Sequence, residues 1–175
     1  MNNQEANFCI RTYSAILPDE QATCKLAENL SNICSAGSTI LLFGDLGVGK
    51  TAFARAFISA KTGLNQEVPS PTFTLLQTYD VQTPEAATPL TIFHFDLYRL
   101  SSPDEAYELA IEDAFSEGIC LIEWPDRLEG LVPRERLEVS LYQGETENSR
   151  RIELVGNGIW VDKLTSILPG DTIDA

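Results

Sequence analysis

Residues 44 to 51 read GDLGVGKT and stand between the apolar run TILLF and the stretch TAFARAF. The first run has the length and composition of a buried strand. The second sets Phe53, Ala56, Phe57 and Ala60 at helical spacing. A strand that ends in a glycine-rich turn and restarts at once as a helix constrains the fold more than any other part of the chain, because such a unit belongs to layered α/β domains. The chemistry of the turn separates residue by residue. Gly44, Gly47 and Gly49 let the backbone bend with its N–H groups turned inward, which suits an anion that also sits on the helix N-terminus. Lys50 sets one cation on the outer phosphates, and Thr51 offers a hydroxyl to Mg²⁺. The octapeptide fits G-x-x-x-x-G-K-[ST] and points to a nucleoside triphosphate site.

The rest of the chain supplies elements for such a domain. NFCIRTY alternates as a strand does and leads into LPDEQATCKLAENLSNIC, where Ala22, Leu26, Leu30 and Ile33 recur at helical spacing after a Pro-Asp-Glu start. Gly37 is placed to end that helix and Gly63 the next one. VPSPTFTLLQTY reads as a loop followed by a strand. The polar stretch DVQTPEAATP separates it from LTIFHFDLYRL, so the two apolar runs suggest a long hairpin. Ser-Pro-Asp-Glu at 102 to 105 reads as a helix start and GICLIEW as a short buried strand. RLEVSLY and RRIELVG flank the polar QGETENS as a closing hairpin. The expected fold is a three-layer α/β P-loop NTPase fold with a mixed, partly parallel sheet, in a single domain over 1–175.

Charge narrows the partners. Twelve Lys and Arg against 26 Asp and Glu leave a formal charge of −14, a surface that repels phosphate backbones, so broad binding of DNA or RNA by this chain alone is not expected. The N-terminal segment has no basic region followed by an apolar run, and no eighteen apolar residues follow one another. A cytoplasmic protein without membrane association is therefore expected. Cys9, Cys24, Cys34 and Cys120 form no C-x-x-C pair and read as reduced thiols.

Magnesium in such sites also needs an acidic group at the end of a neighbouring strand. LTIFHFD ends in Asp96 and GICLIE ends in Glu123. One of them could serve the metal and the other orient the attacking water, or Asp96 could cap a helix or pair with Arg99. His94 reads as a hydrogen-bonded core residue. Trp124 either stacks on a ligand or partner at the mouth of the site or closes the core. The chain has no N-K-x-D for reading guanine and no D-x-x-G for sensing a third phosphate, which favours ATP. Its eight arginines are scattered and do not form the lid of a small-molecule kinase.

GDLGVGKT, VPSPTFTLLQTY, FHFDLYRL and CLIEWPDRL, in this order, resemble the TsaE (YjeE) family of bacterial ATPases, from LPDEQAT near residue 17 to the closing hairpin. The resemblance implies binding of ATP and Mg²⁺ and docking on the TsaB–TsaD complex in threonylcarbamoyl modification of tRNA adenosine beside the anticodon. The tRNA would then be met only through the complex. Carried over by motif, it implies that Leu46, Gly47, Val48, Gly49, Lys50 and Thr51 wrap the phosphates and that Thr51 and Glu123 serve Mg²⁺. By the same resemblance, Asp96 would lie beside the phosphates with a part in hydrolysis, and Thr72 would belong to a switch-like loop. It also implies that Glu20 would fall near the base and Trp124 near the nucleotide or a partner. Val48 departs from the family's usual Ala. Two other readings stay open: a phosphotransferase for a small hydroxylated substrate, and a nucleotide-gated binding module without turnover.

Overall fold

The computed structural model describes residues 10–63, 68–82 and 89–168. Seven strands form one sheet: β1 (Ile10–Leu17), β2 (Thr39–Phe43), β3 (Leu76–Val81), β4 (Leu90–Asp96), β5 (Ile119–Glu123), β6 (Leu137–Gln143) and β7 (Arg150–Asn157). Their order is β1-β7-β6-β2-β5-β4-β3. β2 lies parallel to both β5 and β6, and β4 lies parallel to β5. The hairpin β3/β4 and the strands β6/β7/β1 pair antiparallel, which makes the sheet mixed as expected.

Strands buried on both faces must be apolar throughout, and the central strands obey this: TILLF is buried from Thr39 to Leu42, and ICLIE along its whole length. Alternate residues serve opposite cores. Ile40, Leu42, Ile119 and Leu121 meet the helices α1 (Glu20–Asn32), α2 (Lys50–Thr62) and α5 (Trp160–Ile167) on one face. Leu41, Cys120 and Ile122 meet α3 (Asp104–Glu108), α4 (Ile111–Glu117) and the 3₁₀ turn Pro125–Leu131 on the other. Helix, sheet and helix make the three layers.

Local chemistry sets the helix ends. Asp19 caps α1, its Oδ1 accepting from the Ala22 N–H at 2.8 Å. Gly63 closes α2 at φ 68°, in the left-handed region where glycine carries no Cβ penalty. Gly37 does not close α1. That helix ends at Asn32 with Ile33 as its cap, and Gly37 turns the chain into β2 four residues later. In α2 the buried stripe is Phe53, Ala54, Phe57 and Ile58, while Ala60 faces solvent, because Ile58 offers more apolar surface than Ala60. The helix expected after residue 102 is broken in two at Ala110, φ 53°. Helix α5 has no counterpart in the sequence reading. It brings Trp160 and Leu164 onto β7, where Gly156 leaves room for both. The strand expected from residue 7 is described from Ile10. Cys9 and much of the polar stretch between β3 and β4 lie outside the described residues. Cys24, Cys34 and Cys120 are free thiols, the last two buried.

Candidate nucleotide-binding site

The carboxyl ends of the parallel strands β2, β4 and β5 open on the same side, where α/β sheets bind their ligands. From β2 the chain enters the glycine turn with positive φ at Gly44 (132°), Gly47 (78°) and Gly49 (119°), and Gly49 leads directly into α2. A Cβ on Gly44 would run into the Leu141 carbonyl oxygen and Val48 Cγ1. At Gly47 and Gly49 a Cβ would meet nothing, so their surfaces stay open for a ligand to approach the backbone.

Lys50 is 5% exposed. Its Nζ donates to the carbonyls of Gly44 (2.6 Å) and Asp45 (2.8 Å) and lies 4.0 Å from the centroid of the Trp124 ring. Burial pulls its ammonium below the usual lysine range, opposed by the carboxylates of Glu123, Asp96 and Asp45. Asp96 and Glu123 are register partners at the ends of β4 and β5. Asp96 Oδ2 accepts from Thr72 Oγ1 at 2.6 Å and Oδ1 from the Tyr98 N–H at 3.1 Å. Thr72 Oγ1 also lies 2.8 Å from Ser70 Oγ. Arg99 does not pair with Asp96 in this arrangement and instead lies over the Phe73 ring. Glu123 Oε2 accepts from Thr51 Oγ1 at 2.9 Å, and Oε1 lies 3.0 Å from His94 Nε2.

Lys50, Thr51, Thr72, Asp96 and Glu123 line a cleft of about 240 Å³ with Leu46, Gly47, Gly49, Ala52, Tyr98 and Trp124. Lys50 is the one cation among its described lining residues, against two carboxylates. Thr51 Oγ1 and Glu123 Oε2 are two hard oxygen donors side by side. Among the described residues no cluster of three or more His, Cys, Asp or Glu could hold a metal alone. Such a donor pair fits Mg²⁺, which takes its remaining ligands from phosphate and water. A second cleft of about 170 Å³ lies across the loop, lined by Glu20, Thr23, Gly47, Val48, Gly49, Ala52, Asn148 and Arg150. Arg150 Nε donates to the Val48 carbonyl at 2.7 Å and so ties the turn between β6 and β7 to the glycine loop.

Thr51, Asp96, Glu123, Thr72 and Trp124 thus meet Lys50 in one cleft. Glu20 stands apart, beside Val48 in the second. Trp124 sits at φ 60°, packed against Tyr98 with ring centroids 4.9 Å apart. Sequence reasoning missed Tyr98, Asn148 and Thr23, and it did not decide whether Arg150 or Arg151 reaches the nucleotide. The two arginines now part: Arg151 lies over Tyr142, on the strand rather than at the loop. The link between His94 and Glu123 was missed as well. Its signal was period two: Ile92, His94 and Asp96 share one face of β4, as Ile119, Leu121 and Glu123 do on β5.

Fold and cleft define a phosphate-loop protein of the mixed-sheet kind. A family model described as threonylcarbamoyl adenosine biosynthesis protein TsaE matches residues 17–152. The tRNA threonylcarbamoyladenosine biosynthesis protein TsaE of Rickettsia felis is 42% identical over 142 residues, covering 81% of this chain and 79% of that protein. The protein of the same name from Bacillus subtilis is 33% identical over 147 residues, covering 83% and 86%. The crystal structure of Bacillus subtilis YdiB superposes with a TM-score of 0.68 at 24% identity, covering 90% of this chain and 97% of that one, and supports the fold. The chain belongs to the TsaE family, whose place is in tRNA threonylcarbamoyladenosine biosynthesis.

Proposed function

We propose that the protein binds ATP with Mg²⁺ and hydrolyses it slowly, under the control of a TsaB–TsaD complex that holds the tRNA. The observation that carries this reading is the meeting of Lys50, Thr51, Asp96 and Glu123 around an open glycine turn at the ends of β2, β4 and β5. The inward N–H groups of the turn and the N-terminus of α2 receive the β- and γ-phosphates. Lys50 exchanges its two carbonyl partners for phosphate oxygens, a stronger charge-assisted set. The base side of the nucleotide occupies the second cleft, between Glu20 and Arg150.

Two carboxylates and one lysine leave the main cleft unfavourable to a triphosphate alone. Thr51 and Glu123 hold the Mg²⁺ that neutralises the phosphate oxygens. By donating to Glu123, the Thr51 hydroxyl keeps a lone pair free for the metal. Asp96 positions the attacking water and accepts its proton. Thr72 reads the state of Asp96 through their hydrogen bond and passes it to the loop at 71–75, where Phe73 is 84% exposed and Leu75 lies at φ 65°. That loop and Trp124 meet the partner complex, so hydrolysis changes the docking contacts. The −14 charge fits a subunit that leaves the RNA to its partners.

Lys50→Ala tests the site. It removes the cleft's cation and raises the Kd for ATP about 100-fold in equilibrium binding. ATP binding unchanged by this substitution contradicts the reading.

A further inference from the structure

His94 is fully buried in β4, and Glu123 at the end of β5 is 2% exposed. No other residue among those described bonds to Glu123 Oε1, while Oε2 is taken by Thr51. A bare imidazole nitrogen at 3.0 Å from a carboxylate oxygen would set two lone pairs against each other, so the Nε2 facing Glu123 carries the hydrogen. Nδ1 has no hydrogen-bond partner among the described residues, which leaves Glu123 as the ring's one polar contact. The carboxylate is therefore held at both oxygens, by a ring fixed in the sheet core on one side and by the first turn of α2 on the other.

A carboxylate pinned through one oxygen keeps the other in a fixed direction. We infer that His94 is a positioning residue, whose Nε2–H holds Glu123 so that Oε2 stays aimed at Thr51 and the bound divalent cation. The assignment rests on the ATP and Mg²⁺ reading above and names what sets that site's metal affinity. The ring reaches the metal only through Glu123, so its effect must vanish when Glu123 is absent. Groups that fix the direction of a metal ligand typically change metal affinity by about 10- to 100-fold.

The test uses the full chain with ADP and Mn²⁺, reading free Mn²⁺ by electron paramagnetic resonance and ADP affinity separately in EDTA. His94→Leu, which keeps apolar bulk and removes the donor, raises the half-saturating Mn²⁺ about tenfold and leaves ADP affinity in EDTA within about twofold. His94→Gln, whose amide reaches the place of Nε2, stays within about threefold of the parent. His94→Asn, too short to reach Glu123, behaves like His94→Leu. In a Glu123→Ala background His94→Leu adds no further loss. Unchanged Mn²⁺ affinity in His94→Leu, an equal loss in the Glu123→Ala background, or equal loss in EDTA overturns the assignment. Should His94→Leu fail to fold, the contrast between Gln and Asn decides, and equal Mn²⁺ affinities for those two overturn it. If the parent protein binds ADP no better with Mn²⁺ than in EDTA, the metal-nucleotide reading itself falls, and His94 with it.

Discussion

At the scale of single residues, the glycine turn separates two kinds of constraint. Gly44 is glycine for the fold: its φ of 132° and the nearness of the Leu141 carbonyl and Val48 leave no volume for a methyl group. Gly47, at φ 78° with nothing near its Cβ direction, is glycine for the backbone conformation and for the open approach it gives. Gly44→Ala is therefore expected to lower unfolding free energy by about 3 kcal/mol, the sum of backbone strain and overpacking against a rigid strand. Gly47→Ala costs about 1 kcal/mol of strain alone. Urea unfolding of the two variants checks the order, and equal losses contradict it. Val48 packs beside Gly44 at 6% exposure and lines the second cleft rather than the main one.

Among the elements, the strands that end at the cleft were the most legible part of the sequence, because TILLF and GICLIE are apolar runs of strand length flanked by glycine, as buried strands are. Asp96 and Glu123 could be placed at strand ends for the same reason. Their register partnership could not, since strand order depends on pairing across long separations in the chain. Arg150 was illegible on similar grounds: it lies 102 residues from the Val48 carbonyl that it contacts. Helix α5 had a local signal, since Trp160, Leu164 and Ile167 stand at helical spacing on one face, but the glycine gap in β7 onto which they pack is a tertiary feature. Arg150 gives the element-scale prediction. Arg150→Ala releases the turn between β6 and β7 from the glycine loop and removes the one cation among the described lining residues of the second cleft, raising the Kd for ATP about tenfold. The melting temperature stays within about 3 °C, because Arg150 bonds only to exposed or loop carbonyls and to Val48. A binding isotherm identical to the parent's contradicts the assignment of that cleft.

For the whole molecule, a mixed sheet places a rigid parallel centre under the cleft and antiparallel edges around it. The groups that would bind and cleave a triphosphate, Lys50, Thr51, Asp96 and Glu123, stand on the centre. The groups best placed to report its state outward, Thr72 and the exposed Phe73, stand on the loop that leads into the edge strand β3. Among the described residues no helix is long and apolar enough to cross a membrane, and the surface is strongly acidic. On the proposed reading, an acidic ATPase of this kind would act through protein contacts and leave the RNA to its partners. The most direct test is phosphate release from ATP and Mg²⁺ by the purified chain, alone and with TsaB–TsaD, for the parent and Asp96→Asn. Release is expected to be slow for the chain alone, to rise at least about tenfold with the complex, and to lose that rise in Asp96→Asn with ATP binding retained. Release that the complex does not change, or an Asp96→Asn protein that hydrolyses ATP at the parent rate in the complex, would contradict the proposed reading.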